Sequence, residues 1–254
     1  MKLTLIGNGV MAEALALGLV SKYEIEVIGR NDQNLAKLKA KIPQIEIIHL
    51  GNVENIEGKN IIFCVKPYAF QSVCARLEGE ANTIYSILAG TSLHELKKQT
   101  RAKNYVRTMP NIAAQTQTSM TSLVGDEDVK NEALDIFSSI GNVLWLDTEK
   151  QLDIASAIAG SGPAFLALIA ESLTDGGVSA GLERRNCTKL VQGLFASFSS
   201  LITKYHPTLI KDKVTSPGGT SIAGVIALED HKVRAAMINA VNLAYEKTKI
   251  ISQH

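Results

Sequence analysis

Gly7-Asn8-Gly9-Val10-Met11-Ala12 constrains this chain more than any other segment. It closes a short apolar run, Leu3–Gly7, and opens a helical pattern over residues 10–20. Strand, GxGxxG/A turn and helix in that order begin a dinucleotide-binding βαβ unit. Gly7 permits the tight turn, Gly9 lets backbone approach a pyrophosphate, and Ala12 lets helix and strand pack closely. The helix N-terminus offers free N–H groups and a partial positive charge to phosphates. The bland alternative is a glycine turn that holds no ligand.

The end of the second strand bears on the choice of cofactor. An NAD-preferring site usually carries Asp or Glu there to bind ribose hydroxyls. Here the segment reads Val27-Ile28-Gly29-Arg30-Asn31-Asp32, so the first residue past the strand is a guanidinium. A carboxylate repels a 2′-phosphate, whereas a guanidinium pairs with it. NADP(H) is therefore the expected cofactor, with NAD(H) second because Asp32 lies close. Asp32 is expected to cap the next helix or to face water.

Two rhythms divide the chain. Strand candidates fall at Leu3–Gly7, Glu26–Gly29, Ile45–Ile48, Asn60–Val65, Thr83–Leu88, Tyr105–Met109, Ser122–Gly125 and Val143–Leu146, the last two as antiparallel additions. Helical patterns lie between them at 10–20, 31–40, 67–77, 91–99 and 127–139. Apolar strands alternating with helices imply a mostly parallel sheet covered on both faces. From about Asp147 only helical spacing remains, over 149–170, 184–203, 219–228 and 231–250. The expected class is α/β, with a Rossmann-type dinucleotide-binding domain over 1–147 and an all-helical domain over 148–254. In the latter, Leu190, Val191, Leu194, Phe195, Phe198, Leu201 and Ile202 cover more than one helix face, which predicts packing against a second copy.

Composition narrows the partners. Among 254 residues, 26 Lys and Arg stand against 25 Asp and Glu, a formal charge of +1 that excludes a polybasic nucleic-acid grip. The uncharged, Ala-rich stretch over residues 154–170 is short of a membrane span and reads as a buried helix. No nucleic-acid or membrane partner is expected. The N-terminus has no signal-peptide layout. Cys64, Cys74 and Cys187 are far apart, with no CxxC, so neither a disulfide framework nor a metal site is expected and a reducing cytoplasm is the natural setting.

Five further segments carry a resemblance: Val65-Lys66-Pro67; Arg107-Thr108-Met109-Pro110-Asn111; Ala159-Gly160-Ser161-Gly162-Pro163-Ala164-Phe165; Asp175-Gly176-Gly177-Val178 leading to Gly181-Leu182; and Val214-Thr215-Ser216-Pro217-Gly218-Gly219-Thr220-Ser221. With the glycine turn, and in this order, the chain resembles the pyrroline-5-carboxylate reductase family over essentially its whole length. The resemblance implies NAD(P)H-dependent reduction of the cyclic imine 1-pyrroline-5-carboxylate to L-proline, the last step of proline biosynthesis. It also implies a helical half that interlocks two copies as a homodimer. Several members stack such dimers into a decamer of five.

The resemblance further implies a set of contacts. Backbone from Asn8 through Met11 holds the pyrophosphate; Arg30 and Asn31 sit by the 2′-position; Asn52 lies near the adenosine ribose. Val65, Lys66 and Pro67 line the passage towards nicotinamide, which Ala89 borders. Lys66 is otherwise a solvated loop lysine, and Arg107 is equally a structural salt-bridge residue. Gly219, Thr220 and Ser221 hold the substrate carboxylate, with Ser221 as the catalytic candidate that orients or protonates the ring nitrogen. Pro217 and the glycines there bare backbone ahead of a helix, as an anion nest does; the bland reading is a capping turn. Glu149 matches an acid near the substrate or, equally, serves the dipole of its own helix.

Some features depart from the family. Ser221 stands where Thr is usual, Glu183 where Pro is frequent, and Gly29 is unusual. His49, His94, His206, His231 and His254 fall outside every motif and read as surface or structural. Two other classes are weighed. β-Hydroxyacid dehydrogenases resemble Gly-x-Gly-x-x-x-Lys here, but Leu166 follows Gly160 and Gly162 where that lysine belongs. A cofactor-binding scaffold without turnover has no reason to keep the Ser216–Ser221 corner.

Overall fold

The computed structural model describes residues 1–251; His254 lies outside them. Two compact units result, one of Met1–Ser161 with the chain from Ala244 onward, the other of Gly162–Leu243.

The first unit is built on ten strands: β1 (Lys2–Ile6), β2 (Glu24–Gly29), β3 (Glu46–His49), β4 (Glu54–Asn55), β5 (Asn60–Phe63), β6 (Leu77–Glu78), β7 (Ala81–Ser86), β8 (Ala102–Met109), β9 (Ser119–Gly125) and β10 (Gly141–Trp145). Eight form one sheet in the order β3-β2-β1-β5-β7-β8-β9-β10. The strands from β3 to β8 in that order are parallel. β9 runs antiparallel to β8, and β10 runs parallel to β9, so both oppose the rest, as the sequence predicts. After β3 the chain crosses to the other side of β1. That reversal opens a crevice at the carboxyl ends of β1 and β5, where an open α/β sheet takes its ligand.

The helices of this unit are α1 (Val10–Leu19), α2 (Asp32–Lys41), α3 (Phe70–Cys74), α4 (Leu93–Gln99), α5 (Lys130–Ser138) and α6 (Glu149–Ala155). Alternation along each strand divides the core between two faces. Leu3, Leu5, Val27, Ile62 and Tyr85 point to one cluster with Leu15, Leu19, Ile136 and Phe137. Ile6, Ile28, Ile61, Phe63 and Ile84 point to the other with Phe70, Val73 and Leu96. Burial on both faces explains why the strands read as nearly unbroken apolar runs.

Some elements differ from the sequence reading. The pattern over 67–77 divides into a 3₁₀ turn at Pro67–Ala69, α3, and the short strand β6, which pairs with β4 in a separate two-stranded sheet. Strands of two residues carry no readable period. β8 begins at Ala102 rather than Tyr105; the polar Lys103 and Asn104 interrupt the apolar run there.

One charge is buried in the sheet. Glu26 on β2 is 3% exposed. It pairs with Lys2 at 2.6 Å and Lys59 at 2.8 Å and accepts a hydrogen bond from Thr4 Oγ1 at 3.1 Å. Burial alone raises the Glu26 carboxyl, but the hydrogen bonds from Lys2 and Lys59 outweigh it and leave the group below its ordinary 4.5.

The second unit is all-helical: α7 (Gly162–Ser179), α8 (Arg184–Ile202), α9 (Pro207–Val214), α10 (Thr220–Asp230) and most of α11 (Val233–Ile251). The sequence reading lacks α9, a two-turn helix begun by Pro207. Two glycines of the Asp175–Gly181 motif have visible work. A Cβ on Gly177 would meet Cys187 Sγ at 2.8 Å, and Gly181 ends α7 with φ +101° while Leu182 N–H donates to Gly177 O. The α7 segment is not buried in the single chain, contrary to expectation: no residue of it is. The helical run Glu149–Ser179 is long and apolar enough to cross a membrane: one 18-residue window within it has mean hydropathy 1.6. Leu190, Leu194 and Phe198 on α8 are likewise exposed.

Glu26→Gln is expected to cost about 2 kcal/mol at neutral pH, the scale of hydrogen bonds to a charged group. A carboxyl depressed by folding contributes stability above its unfolded value and loses it as pH falls through the folded one. The deficit of the variant should therefore shrink below pH 4.5, measured by urea unfolding across pH.

Candidate functional site

At the crevice, Gly7 adopts φ +122°, and a Cβ there would lie 2.7 Å from the Cys64 carbonyl and 2.9 Å from Val65 N. Only glycine lets the ends of β1 and β5 close up in this way. Gly7 N–H donates to Ile28 O at 2.8 Å, which joins the turn to β2 as well. Gly9 is the N-cap of α1 and no side chain caps that helix, leaving its first turn open to an anion. Val10 and Met11 begin the helix, with Val10 70% exposed, and Ala12 is fully buried against the sheet.

Asn8 ties this turn to the next. Its Nδ2 donates to Asn31 O at 2.7 Å, and its side chain occupies the space above Gly29, where any Cβ would approach it to 2.4 Å. The unusual glycine is thus the seat for Asn8. Asn31, rather than Asp32, caps α2, accepting from Asn34 N–H at 2.9 Å. Asp32 is exposed and pairs with His49 Nδ1 at 2.6 Å. Arg30 is exposed on the crevice rim and pairs with no carboxylate among the described residues.

The crevice encloses about 420 Å³, within the ordinary range of small-molecule sites. Of the expected cofactor residues, Gly7, Asn8, Gly9, Arg30, Asn31, Val65 and Lys66 line it. Asn52 is exposed in the loop between β3 and β4, Pro67 opens the 3₁₀ turn, and Ala89 lies between β7 and α4; none of them forms its wall. Lys66 is exposed, so its charge stays in water. Cys64 and Tyr68, which no cofactor motif in the sequence marks, also line the wall. Burial pushes the Cys64 thiol well above its ordinary range, which keeps it protonated. A Cβ-free cradle, an open helix terminus and a free guanidinium suit a 2′-phosphorylated dinucleotide.

A second group of residues gathers around Arg107 at the end of β8. Its guanidinium is 3% exposed and holds Glu149 at 2.9 Å and Asp153 at 2.7 Å, one turn apart on α6. The same Glu149 oxygen accepts Leu93 N–H at 2.8 Å, an otherwise open donor in the first turn of α4. Thr148, not Glu149, caps α6. Glu149 therefore serves the terminus of another helix and the Arg107 guanidinium. Arg107 Nε is buried without a partner among the described residues.

Asn111, at the end of the same motif, donates from Nδ2 to Ala159 O at 3.0 Å. Ala159 lies in a widened π turn, Ser156–Gly160, and four residues later Pro163 has no N–H to offer that carbonyl. Asn111 supplies the missing donor.

In the helical unit, Ser216-Pro217-Gly218-Gly219 forms a turn. Gly219 N–H donates to Ser216 O at 3.0 Å, and Gly218 has φ +71° after the proline. Gly219 then caps α10 without a side chain, and Thr220 and Ser221 are exposed in its first turn. Open N–H groups and two hydroxyls make this corner a carboxylate acceptor by chemistry.

Comparison with known proteins shows relatives that match from end to end. A pyrroline-5-carboxylate reductase of Synechocystis sp. is 38% identical across 98% of this chain and 97% of its own length. This chain belongs to the pyrroline-5-carboxylate reductase family. A Helicobacter pylori member is 32% identical over 98% of this chain and 99% of its own. Residues 149–251 match the model described as pyrroline-5-carboxylate reductase dimerisation, and residues 2–90 match one described as NADP oxidoreductase, coenzyme F420-dependent. Among solved structures, the 1-pyrroline-5-carboxylate reductase of Streptococcus pyogenes has a TM-score of 0.85 at 29% identity, covering 98% of both chains. The Plasmodium falciparum pyrroline carboxylate reductase with NADP bound has a TM-score of 0.83 at 26% identity, covering 99% of this chain and 98% of its own. The family reading of fold class holds, the chain is an oxidoreductase that uses NADP(H), and its helical half joins copies of itself.

Arg107→Ala is expected to lower stability by about 3 kcal/mol, because two carboxylates then face one another without their cation. Glu149→Gln, which keeps an acceptor for Leu93 N–H, should cost less. Thermal unfolding of the two variants checks the order.

Proposed function

We propose that this protein reduces 1-pyrroline-5-carboxylate to L-proline, with NADP(H) preferred and NAD(H) second. The full-length match to relatives bearing that name carries the reading. The division of labour is a cofactor domain over 1–147 and a helical substrate domain over 148–254, in a cytoplasmic homodimer. A decamer of five dimers is the larger assembly implied by the resemblance. The apolar face of Glu149–Ser179 is covered by a second copy rather than by lipid.

The bound nicotinamide supplies a hydride to the imine carbon. The chain's own residues do the rest. Backbone from Gly7 to Met11 holds the pyrophosphate, Arg30 neutralises the 2′-phosphate, Asn31 and Asn52 approach the adenosine ribose, and Val65, Lys66, Pro67 and Ala89 flank the route to the nicotinamide. Gly219, Thr220 and Ser221 receive the substrate carboxylate. An imine that arrives protonated needs little acid catalysis, so positioning and exclusion of water supply most of the effect. The Ser221 hydroxyl orients the ring nitrogen. Glu149, the acid that the resemblance sets near the substrate, is held by the Arg107 guanidinium and accepts the Leu93 N–H at the start of α4.

NADPH oxidation that depends on added pyrroline-5-carboxylate tests the reading; a purified, cofactor-binding protein with no such turnover would overturn it. Ser221→Ala should lower kcat/KM by roughly 10–100-fold, mainly through KM. An unchanged value removes Ser221 from the site. Arg30→Glu should lower the NADPH-to-NADH ratio of kcat/KM by roughly 10–100-fold, the loss of one charge-assisted contact.

A further inference from the structure

Tyr68 is 88% exposed, the most exposed of the large apolar and aromatic side chains among the described residues. Its hydroxyl makes no hydrogen bond, and its ring no aromatic or cation contact, with any described residue. Yet it is firmly mounted. Pro67 starts the 3₁₀ turn that carries it, Ala69 N–H donates to Lys66 O at 2.9 Å, and the next residues, Ala69 and Phe70, are buried in the core. A rigid aromatic held in water, with nothing of its own chain against it, needs an explanation.

The sheet order supplies one. β2 and β5 flank β1 on opposite sides, so the loops that follow them face each other across the Gly7–Gly9 turn. Tyr68 and Arg30 both line the crevice, from the loops after β5 and β2 respectively. Phosphates belong at the α1 terminus and the ribose 2′-substituent at the end of β2. The purine attached to that ribose then falls between the two loops.

We propose that Tyr68 is the stacking wall of the adenine slot, with the Arg30 guanidinium opposite. A planar cation and an aromatic ring on either side of a base make a slot that every purine π-face can enter and that a nicotinamide mononucleotide does not need. The slot rests on the dinucleotide reading of the crevice and is independent of which imine is reduced.

Isothermal titration with adenosine 2′,5′-bisphosphate, which carries only the adenosine half of NADPH, tests this on the full-length protein. Tyr68→Ala should weaken its binding by about 10-fold, the effect of removing one base–aromatic stack. Tyr68→Phe should bind as the unaltered protein does. In turnover, Tyr68→Ala should raise the KM for NADPH with kcat retained, and leave the rate supported by reduced nicotinamide mononucleotide unchanged. Equal affinity of the bisphosphate for Tyr68→Ala and the unaltered protein overturns the proposal. A Phe variant as weak as the Ala variant does so too, since the hydroxyl would then be what binds. Failure of the unaltered protein to bind the bisphosphate overturns the slot and the dinucleotide reading together. Binding with no turnover of pyrroline-5-carboxylate sinks the reaction alone and leaves the slot supported. At 88% exposure neither substitution disturbs the core.

Discussion

The closeness of two strand ends governs much of this molecule. Because Gly7 has no Cβ, β1 can end against the Cys64–Val65 peptide and then turn at once into α1. The bare helix terminus, the seating of Asn8 over Gly29, and the facing of the β2 and β5 loops follow from that approach. A side chain at position 7 would push the strands apart where the sheet changes direction. The cofactor crevice is thus a product of the backbone more than of any polar side chain.

Around this crevice the chain satisfies its buried polar groups through long-range side-chain contacts. Arg107 joins α6 to β8, Glu149 completes the terminus of α4, and Asn111 takes up the carbonyl that Pro163 leaves without a donor. Residues that share a motif with functional neighbours therefore have structural duties as well. Arg107 and Asn111 belong to one short segment and brace the beginning and the end of the same helical stretch.

Much of the fold was legible because its signals are periodic. Strands buried on both faces read as apolar runs, and the glycine turn sits where a βαβ unit requires it. What escaped was short or depended on distant partners. β4 and β6 are too brief to show a period, and α9 spans only two turns. Of the two expectations for Asp32, a helix cap or an acid facing water, the second holds: its neighbour Asn31 has the capping geometry, and Asp32 is exposed beside His49. The tie of Glu149 to Leu93 crosses 56 positions, which no local pattern announces. Tyr68 stood directly after Val65-Lys66-Pro67, yet a tyrosine in sequence does not say whether its ring will be packed or bare. The apolar excess of α8 was readable, and so was its meaning, since the helical half joins copies of the chain.

That excess has a consequence for how the protein holds together. With several leucines and Phe198 of the helical half in water on an isolated chain, much of the favourable burial is deferred until copies meet. Folding and association are then one linked equilibrium, and resistance to heat is a property of the amount of protein in the tube as well as of its sequence. Dilution acts on such a molecule as a mild denaturant.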